Sequence, residues 1–192
     1  MIYTIAWCLW HILRIISFPL KIRGKENTPQ QGAFILASNH LSYLDPMTIG
    51  GCFPRRISYM AKESLFKNKI FAFILNSVGA FPVKKETGDI GAIKEALKRL
   101  KMGCPLVLFP EGTRISTQKQ NYPGVAFIAA KSGVPVVPVC IQGSDQVLPS
   151  GKKFLRRRPV SVSFGKPQVY AKENSYQEIA DCIMKEIHSL YG

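Results

Sequence analysis

Cysteine is scarce and odd in number: Cys8, Cys52, Cys104, Cys140 and Cys182. No C-x-x-C pair and no Cys/His cluster with zinc spacing occurs, which excludes a redox motif or a structural zinc site of the usual pattern. The five thiols sit mostly inside apolar runs and read as reduced, packed as small hydrophobes in a reducing compartment. Acidic residues are also few, 12 against 26 Lys and Arg, so the net charge is +14 with histidine neutral. An excess of that size implies an anionic partner: nucleic acid, anionic lipid, or an acidic substrate or carrier. Internal repeats and low-complexity tracts are absent, which excludes solenoids and biased linkers. Charged residues are only 20% and hydrophobic residues 46%, which excludes a disordered chain. At 192 residues there is room for one core.

The most apolar stretch, residues 1–20 (MIYTIAWCLWHILRIISFPL), lacks the basic start and small-residue cleavage site of a secretory signal. It also lacks an uninterrupted span, because His11 and Arg14 break it and Pro19 stops it. On a helical wheel Ile2, Ile5, Ala6, Leu9, Ile12, Leu13 and Ile16 share one face. Thr4, His11, Arg14 and Ser17 lie opposite, with Trp7 and Trp10 among them. Indoles and a cation beside an oily face suggest an amphipathic helix lying in the plane of a membrane. A helix packed on the domain is the alternative.

From residue 21 onward apolar runs alternate with helical patterns. Strands are expected at 33–38, 57–62, 80–84, 105–110, 134–141 and 160–165. Helices are expected from Pro46, over 65–79, over 89–103 and over 123–131. Ser175 and Glu178 make a capping box for a last helix reaching about Leu190. The largest loop, about 142–158, carries KKFLRRR. Alternation of this kind predicts a single α/β domain over 21–192, with a mostly parallel sheet flanked by helices.

The candidate chemistry follows strands, where open α/β sheets place their sites. Asn39-His40-Leu41-Ser42-Tyr43-Leu44-Asp45 follows the first, and Gly79 to Lys85 spans the third. Phe109-Pro110-Glu111-Gly112-Thr113-Arg114 follows the fourth, and Val134 to Val139 opens the fifth. His40 and Asp45 have two compatible readings. Asp45 before Pro46 suits the start of a helix, with Asp at the N-cap and Pro at N1. A fixed Asp can also orient an imidazole. A Glu-Gly-Thr turn offers backbone N–H groups and a hydroxyl, and Arg114 adds a planar fork suited to phosphate or carboxylate.

Together these four ordered blocks, spanning residues 39–139, resemble the glycerolipid acyltransferases typified by 1-acyl-sn-glycerol-3-phosphate acyltransferase. That family carries N-H-x4-D, G-x5-R, F-P-E-G-T-R and a Val/Pro-rich strand in this order. One block departs, since Lys85 stands where the family has arginine; the charge is kept and the bidentate fork is lost.

The resemblance implies transfer of an acyl group from a thioester of coenzyme A or acyl carrier protein to the sn-2 hydroxyl of lysophosphatidic acid. The product is phosphatidic acid, for phospholipid biosynthesis. His40 is then the general base and Asp45 its partner, in triad logic without a serine. Ser42 reads as a turn residue. Lys85, Glu111, Gly112, Thr113 and Arg114 seat the acceptor. Neither cofactor nor metal is implied. The enzyme is expected on the cytoplasmic face of the cell membrane, peripheral or monotopic, against phospholipid. Phe66, Ile70, Phe71, Phe73 and Ile74 help it there, line an acyl groove, or form plain core. Lys67, Lys69, Lys152, Lys153 and Arg156 to Arg158 steer anionic donors or touch lipid. The runner-up readings are a sister acceptor (glycerol-3-phosphate or another lysophospholipid) and a lipid-binding protein without activity. Nucleic acid is disfavoured, because the basic residues are dispersed and no nucleic-acid motif is visible.

Overall fold

Strands buried on both faces need an apolar residue at nearly every position, and Ile35-Leu36-Ala37 and Val136 to Ile141 meet that requirement. In the computed structural model the described residues are 4, 5, 8, 10, 12, 18–84, 89–111, 123–149, 151–152, 154–170 and 175–191. The strands are β1 (Leu20–Arg23), β2 (Ile35–Ser38), β3 (Ser58–Lys62), β4 (Ala80–Val83), β5 (Leu106–Leu108), β6 (Val136–Gln142) and β7 (Val160–Phe164). They form one sheet in the order β1-β7-β6-β2-β5-β3-β4. Every pairing is parallel except β6 with β7. The helices are α1 (Asp45–Gly51), α2 (Lys69–Ser77), α3 (Ile90–Lys101), α4 (Pro123–Ser132), α5 (Ser144–Val147) and α6 (Tyr176–Ser189).

Side-chain alternation divides the core into two layers. Leu36 and Val137 face a layer with Ile49 of α1, Leu75 of α2, Trp10 and Phe18. Ile35 and Leu106 face the other, with Ala96 of α3, Ile128 of α4 and Ile183 of α6. Thus α1 and α2 cover one face and α3, α4 and α6 the other. The capping box starts α6 as expected: Ser175 Oγ accepts from Glu178 N, and Glu178 Oε2 accepts from Ser175 N.

Several expectations change. Leu20 begins an edge strand rather than ending a helix. The helix expected over 65–79 is a 3-10 turn at Glu63–Phe66 followed by α2, because Asn68 caps Ile70 and Phe71 and restarts the chain there. The loop 142–158 contains α5. In the N-terminal segment residues 4, 5, 8, 10 and 12 are helical, and the rest lies outside the described residues. Trp10, placed among the polar side of that wheel and suited to a headgroup level, is instead buried in the core edge-on to Phe18. It fits against α1 only because Gly51 has no Cβ there. Ile5 and Ile12 are exposed, and the other residues placed on that oily face lie outside the described residues. No described helix is long and apolar enough to cross a membrane.

Gly79, at the turn into β4, has φ +96, and a Cβ would overlap the Ile57 carbonyl oxygen. Its own carbonyl accepts from Arg99, whose guanidinium lies over Phe81. Gly79→Ala therefore combines left-handed strain with a backbone clash. It should destabilise the fold by roughly 2 kcal/mol or more, read as a lower denaturant midpoint with an unchanged slope.

Candidate active site

Connections leaving β2 and β5 diverge. β2 continues through α1 to β3 on one side, and β5 through α4 to β6 on the other. The two helices lie on opposite faces. A crevice therefore opens between the carboxyl ends of these adjacent strands, the usual ligand position in such sheets. His40 follows β2 and Glu111 follows β5, so both enter that crevice.

Asp45 is the first residue of α1 rather than its N-cap, which is Leu44. This differs from the expectation and matters to the chemistry. With the helix starting one residue earlier, the Asp45 carboxylate turns back toward the loop. Its Oδ2 accepts from Leu41 N at 2.6 Å, Ser42 N at 2.7 Å and His40 Nδ1 at 2.9 Å. The Asp45 side chain is 0% exposed and that of His40 16%. A carboxylate already holding two amide hydrogens has no proton to give, so Nδ1 carries the hydrogen. Nε2 is left with a lone pair and has no partner among the described residues. The imidazole stacks on Phe109 at 4.1 Å between ring centroids, which fixes the ring plane.

The backbone of His40 is held too. Glu111 Oε2 accepts from His40 N at 3.3 Å, joining the FPEGTR block to the histidine block. One residue earlier, Asn39 acts as a side-chain strand. Its Oδ1 accepts from Ile141 N at 2.7 Å, and its Nδ2 donates to Ile141 O at 2.8 Å. The second Nδ2 hydrogen goes to Tyr191 Oη at 3.0 Å. Burial pushes the Tyr191 phenol and the Cys140 thiol up from their ordinary values. Both are neutral near pH 7, so Cys140 does not compete as a nucleophile. Ser42 Oγ is committed, accepting from Leu44 N within its own turn and donating to the distant Leu148 O.

The structure thus brings together His40, Asp45 and Glu111. Lys85, Gly112, Thr113 and Arg114 lie outside the described residues. Sequence reasoning missed Phe109 as the stacking partner and Tyr191 as the cap on Asn39. Phe109 sits in a quoted motif, where a ring two residues before Glu111 was a usable signal. Tyr191 is 152 positions from Asn39, and no local pattern joins them. Among the described residues no His, Cys, Asp and Glu group is arranged to hold a metal.

The sequence model of the Acyltransferase family matches residues 19–142. The chain is 36% identical over 149 residues to the 1-acyl-sn-glycerol-3-phosphate acyltransferase of Bacillus subtilis, covering 77% of this chain and 73% of that one. It is 30% identical over 166 residues to the chloroplastic 1-acyl-sn-glycerol-3-phosphate acyltransferase BAT2 of Brassica napus, covering 83% of this chain. There it spans about half of the relative, 48%. Among solved structures it is similar to the 1-acyl-sn-glycerophosphate acyltransferase PlsC from Thermotoga maritima. The TM-score is 0.73 and the identity 26%, over 98% of this chain and 78% of that one. The family model covers well over half of the chain and the Bacillus subtilis relative is 36% identical, so the chain belongs to the acyltransferase family.

Proposed function

We propose that the chain acylates the sn-2 hydroxyl of 1-acyl-glycerol-3-phosphate, using an acyl thioester of coenzyme A or acyl carrier protein, and releases phosphatidic acid. The observation that carries the reading is the pairing of His40 Nδ1 with a fully buried Asp45, which leaves Nε2 as the base. The names of the relatives support the acceptor.

An alcohol is a poor nucleophile unless its proton leaves as it attacks. His40 Nε2 accepts the acceptor's hydroxyl proton while the oxygen bonds to the thioester carbonyl carbon. The imidazolium formed is stabilised by Asp45 across 2.9 Å. Collapse of the tetrahedral adduct breaks the C–S bond, and the proton passes from His40 to the departing sulfur. One ester forms, one thioester is lost, and the histidine is regenerated. The stack on Phe109 and the grip on His40 N limit ring reorientation between these two transfers.

The amides of His40, Leu41 and Ser42 are all committed, to Glu111 and Asp45. The donors that stabilise the thioester oxyanion therefore come from another segment. Lys85 and Arg114, with Gly112 and Thr113, seat the acceptor phosphate, because charge and a planar fork suit a phosphate monoester. Glu111 ties the end of β5 to the His40 backbone. The enzyme works at the cytoplasmic face of the cell membrane, where such an acceptor resides.

Thiol release from palmitoyl-coenzyme A, with and without lysophosphatidic acid and with the product identified by mass spectrometry, tests the reaction. Acceptor-dependent release should fall by at least about a thousandfold in His40→Ala, with the thermal midpoint little changed. Near-normal turnover in that variant would sink the mechanism. Asp45→Asn should lower kcat strongly with little change in KM, because its amide can hold the wrong tautomer. Arg114→Ala and Lys85→Ala should mainly raise the acceptor's KM, by roughly tenfold or more for a lost charged contact. A shift in the donor constant alone would move these residues to the thioester side.

A further inference from the structure

Helix α2 has its oily side facing outward. Only Ala72, Leu75 and Ser77 are even partly covered, and Leu75 packs on the core. Ile70, Phe71, Phe73 and Ile74 are 72%, 58%, 61% and 51% exposed. At about 100° per residue these four span roughly 160° of the helix, away from Ala72 and Leu75. A nine-residue helix with no fully buried side chain is not sustained by its own hydrogen bonds. Its ends are nonetheless held, by the Asn68 cap and by Arg56, which donates to the Asn76 carbonyl. Four large apolar side chains on a fixed helix are a surface awaiting a partner.

The surrounding charge selects the partner. From Arg55 to Lys84 the chain has Arg55, Arg56, Lys62, Lys67, Lys69 and Lys84 against one acid, Glu63. Lys67 and Lys69 are exposed at the start of α2. A second copy would bring the same cations against themselves, on a chain already at +14. An anionic bilayer accepts both features: acyl chains receive the apolar fan, and headgroups receive the lysines.

The location fits the same partner. β2, β3, β4 and β5 are parallel, so Ser38, Lys62, Val83 and Leu108 end on one edge, where His40 stands. The chain leaves β3 at that edge and returns through α2 to start β4, so the N-terminal turn of α2 lies toward the site. Trp10 packs in the same layer as Leu75, and its segment turns Ile5 and Ile12 outward.

We propose that the outward face of α2, Ile70, Phe71, Phe73 and Ile74 with Lys67 and Lys69, is a docking surface for an anionic lipid bilayer. It holds the carboxyl edge of the sheet, and with it His40, at the interface. The inference deepens the reading of a lipid acceptor and rests on it.

Co-sedimentation with vesicles tests it, using phosphatidylcholine alone and phosphatidylcholine with about a third phosphatidylglycerol. The full chain should pellet with the anionic vesicles and much less with the neutral ones. Phe71→Ser with Phe73→Ser should lower partition into anionic vesicles by about tenfold or more. Lys67→Gln with Lys69→Gln should lower only the preference for the anionic ones, by about fivefold per lysine. Both variants should keep wild-type turnover on a short-chain thioester and a short-chain acceptor dispersed without vesicles. Equal pelleting of wild type and the serine variant would overturn the assignment. So would a wild-type dimer that the serine variant dissociates, or loss of acyl carrier protein binding with pelleting unchanged. If no form turns over the short-chain pair, the acceptor reading fails, and the pelleting still judges the surface.

Discussion

Three hydrogens converge on one carboxylate oxygen. Asp45 Oδ2 accepts from His40 Nδ1, Leu41 N and Ser42 N, and the side chain is wholly buried. A buried carboxylate without partners is costly, so the loop after β2 has little freedom once α1 starts at Asp45. The same three bonds set the loop's shape, the tautomer of His40 and the direction of Nε2. Fold and chemistry share that atom. Pro46 contributes by fixing the backbone of the first helical turn, where its missing N–H costs nothing.

The sheet converts this local device into a site. β2 and β5 are neighbours in space and far apart in sequence, with connections leaving to opposite faces. The crevice between their ends receives His40 from one strand and Phe109 and Glu111 from the other. Position in the crevice comes from backbone pairing, and orientation comes from side chains. Asn39 shows the two acting together: its amide pairs with Ile141 like an extra strand residue and so extends the β2–β6 ladder up to the loop that carries His40. Pro138 is tolerated inside a central strand because β7 leaves its ladder there, with Gly165 N donating to the Pro138 carbonyl.

Most elements were legible because burial on both faces writes long apolar runs, and helix stops are marked by glycine. What was not legible has physical reasons. β1 is four residues, LKIR, at a sheet edge with only Leu20 partly covered, so no apolar pattern marks it. A helical wheel separates the faces of a helix without saying which one meets protein. Trp10 lies on the side that the domain covers, and the fan of α2 lies on the side that it does not. The six-residue spacing of Asn39-His40 to Asp45 was legible, but the shift of Asp45 from N-cap to first helical residue was not. That shift depends on where the carboxylate finds donors, which is a tertiary fact. Tyr191 reaches Asn39 only because α6 packs against the face of the sheet that ends there.

The two ends of the polarity scale are arranged around the same edge, and one constrains the other. In the proposed mechanism an imidazolium forms at His40, and Asp45 lies 2.9 Å from Nδ1 to stabilise it. The exposed cations of a chain at +14 act through solvent, where salt screens them. Asp45 is wholly buried. At 2.9 Å in a poorly solvated position its charge acts on His40 far more strongly than exposed lysines acting through water. On the proposed reading the chain carries a strongly basic surface suited to anionic substrates and lipid, beside a base compensated at short range. Charge spread over the surface acts at long range on what approaches, and the single buried carboxylate beside His40 stabilises the imidazolium formed in the proposed transfer.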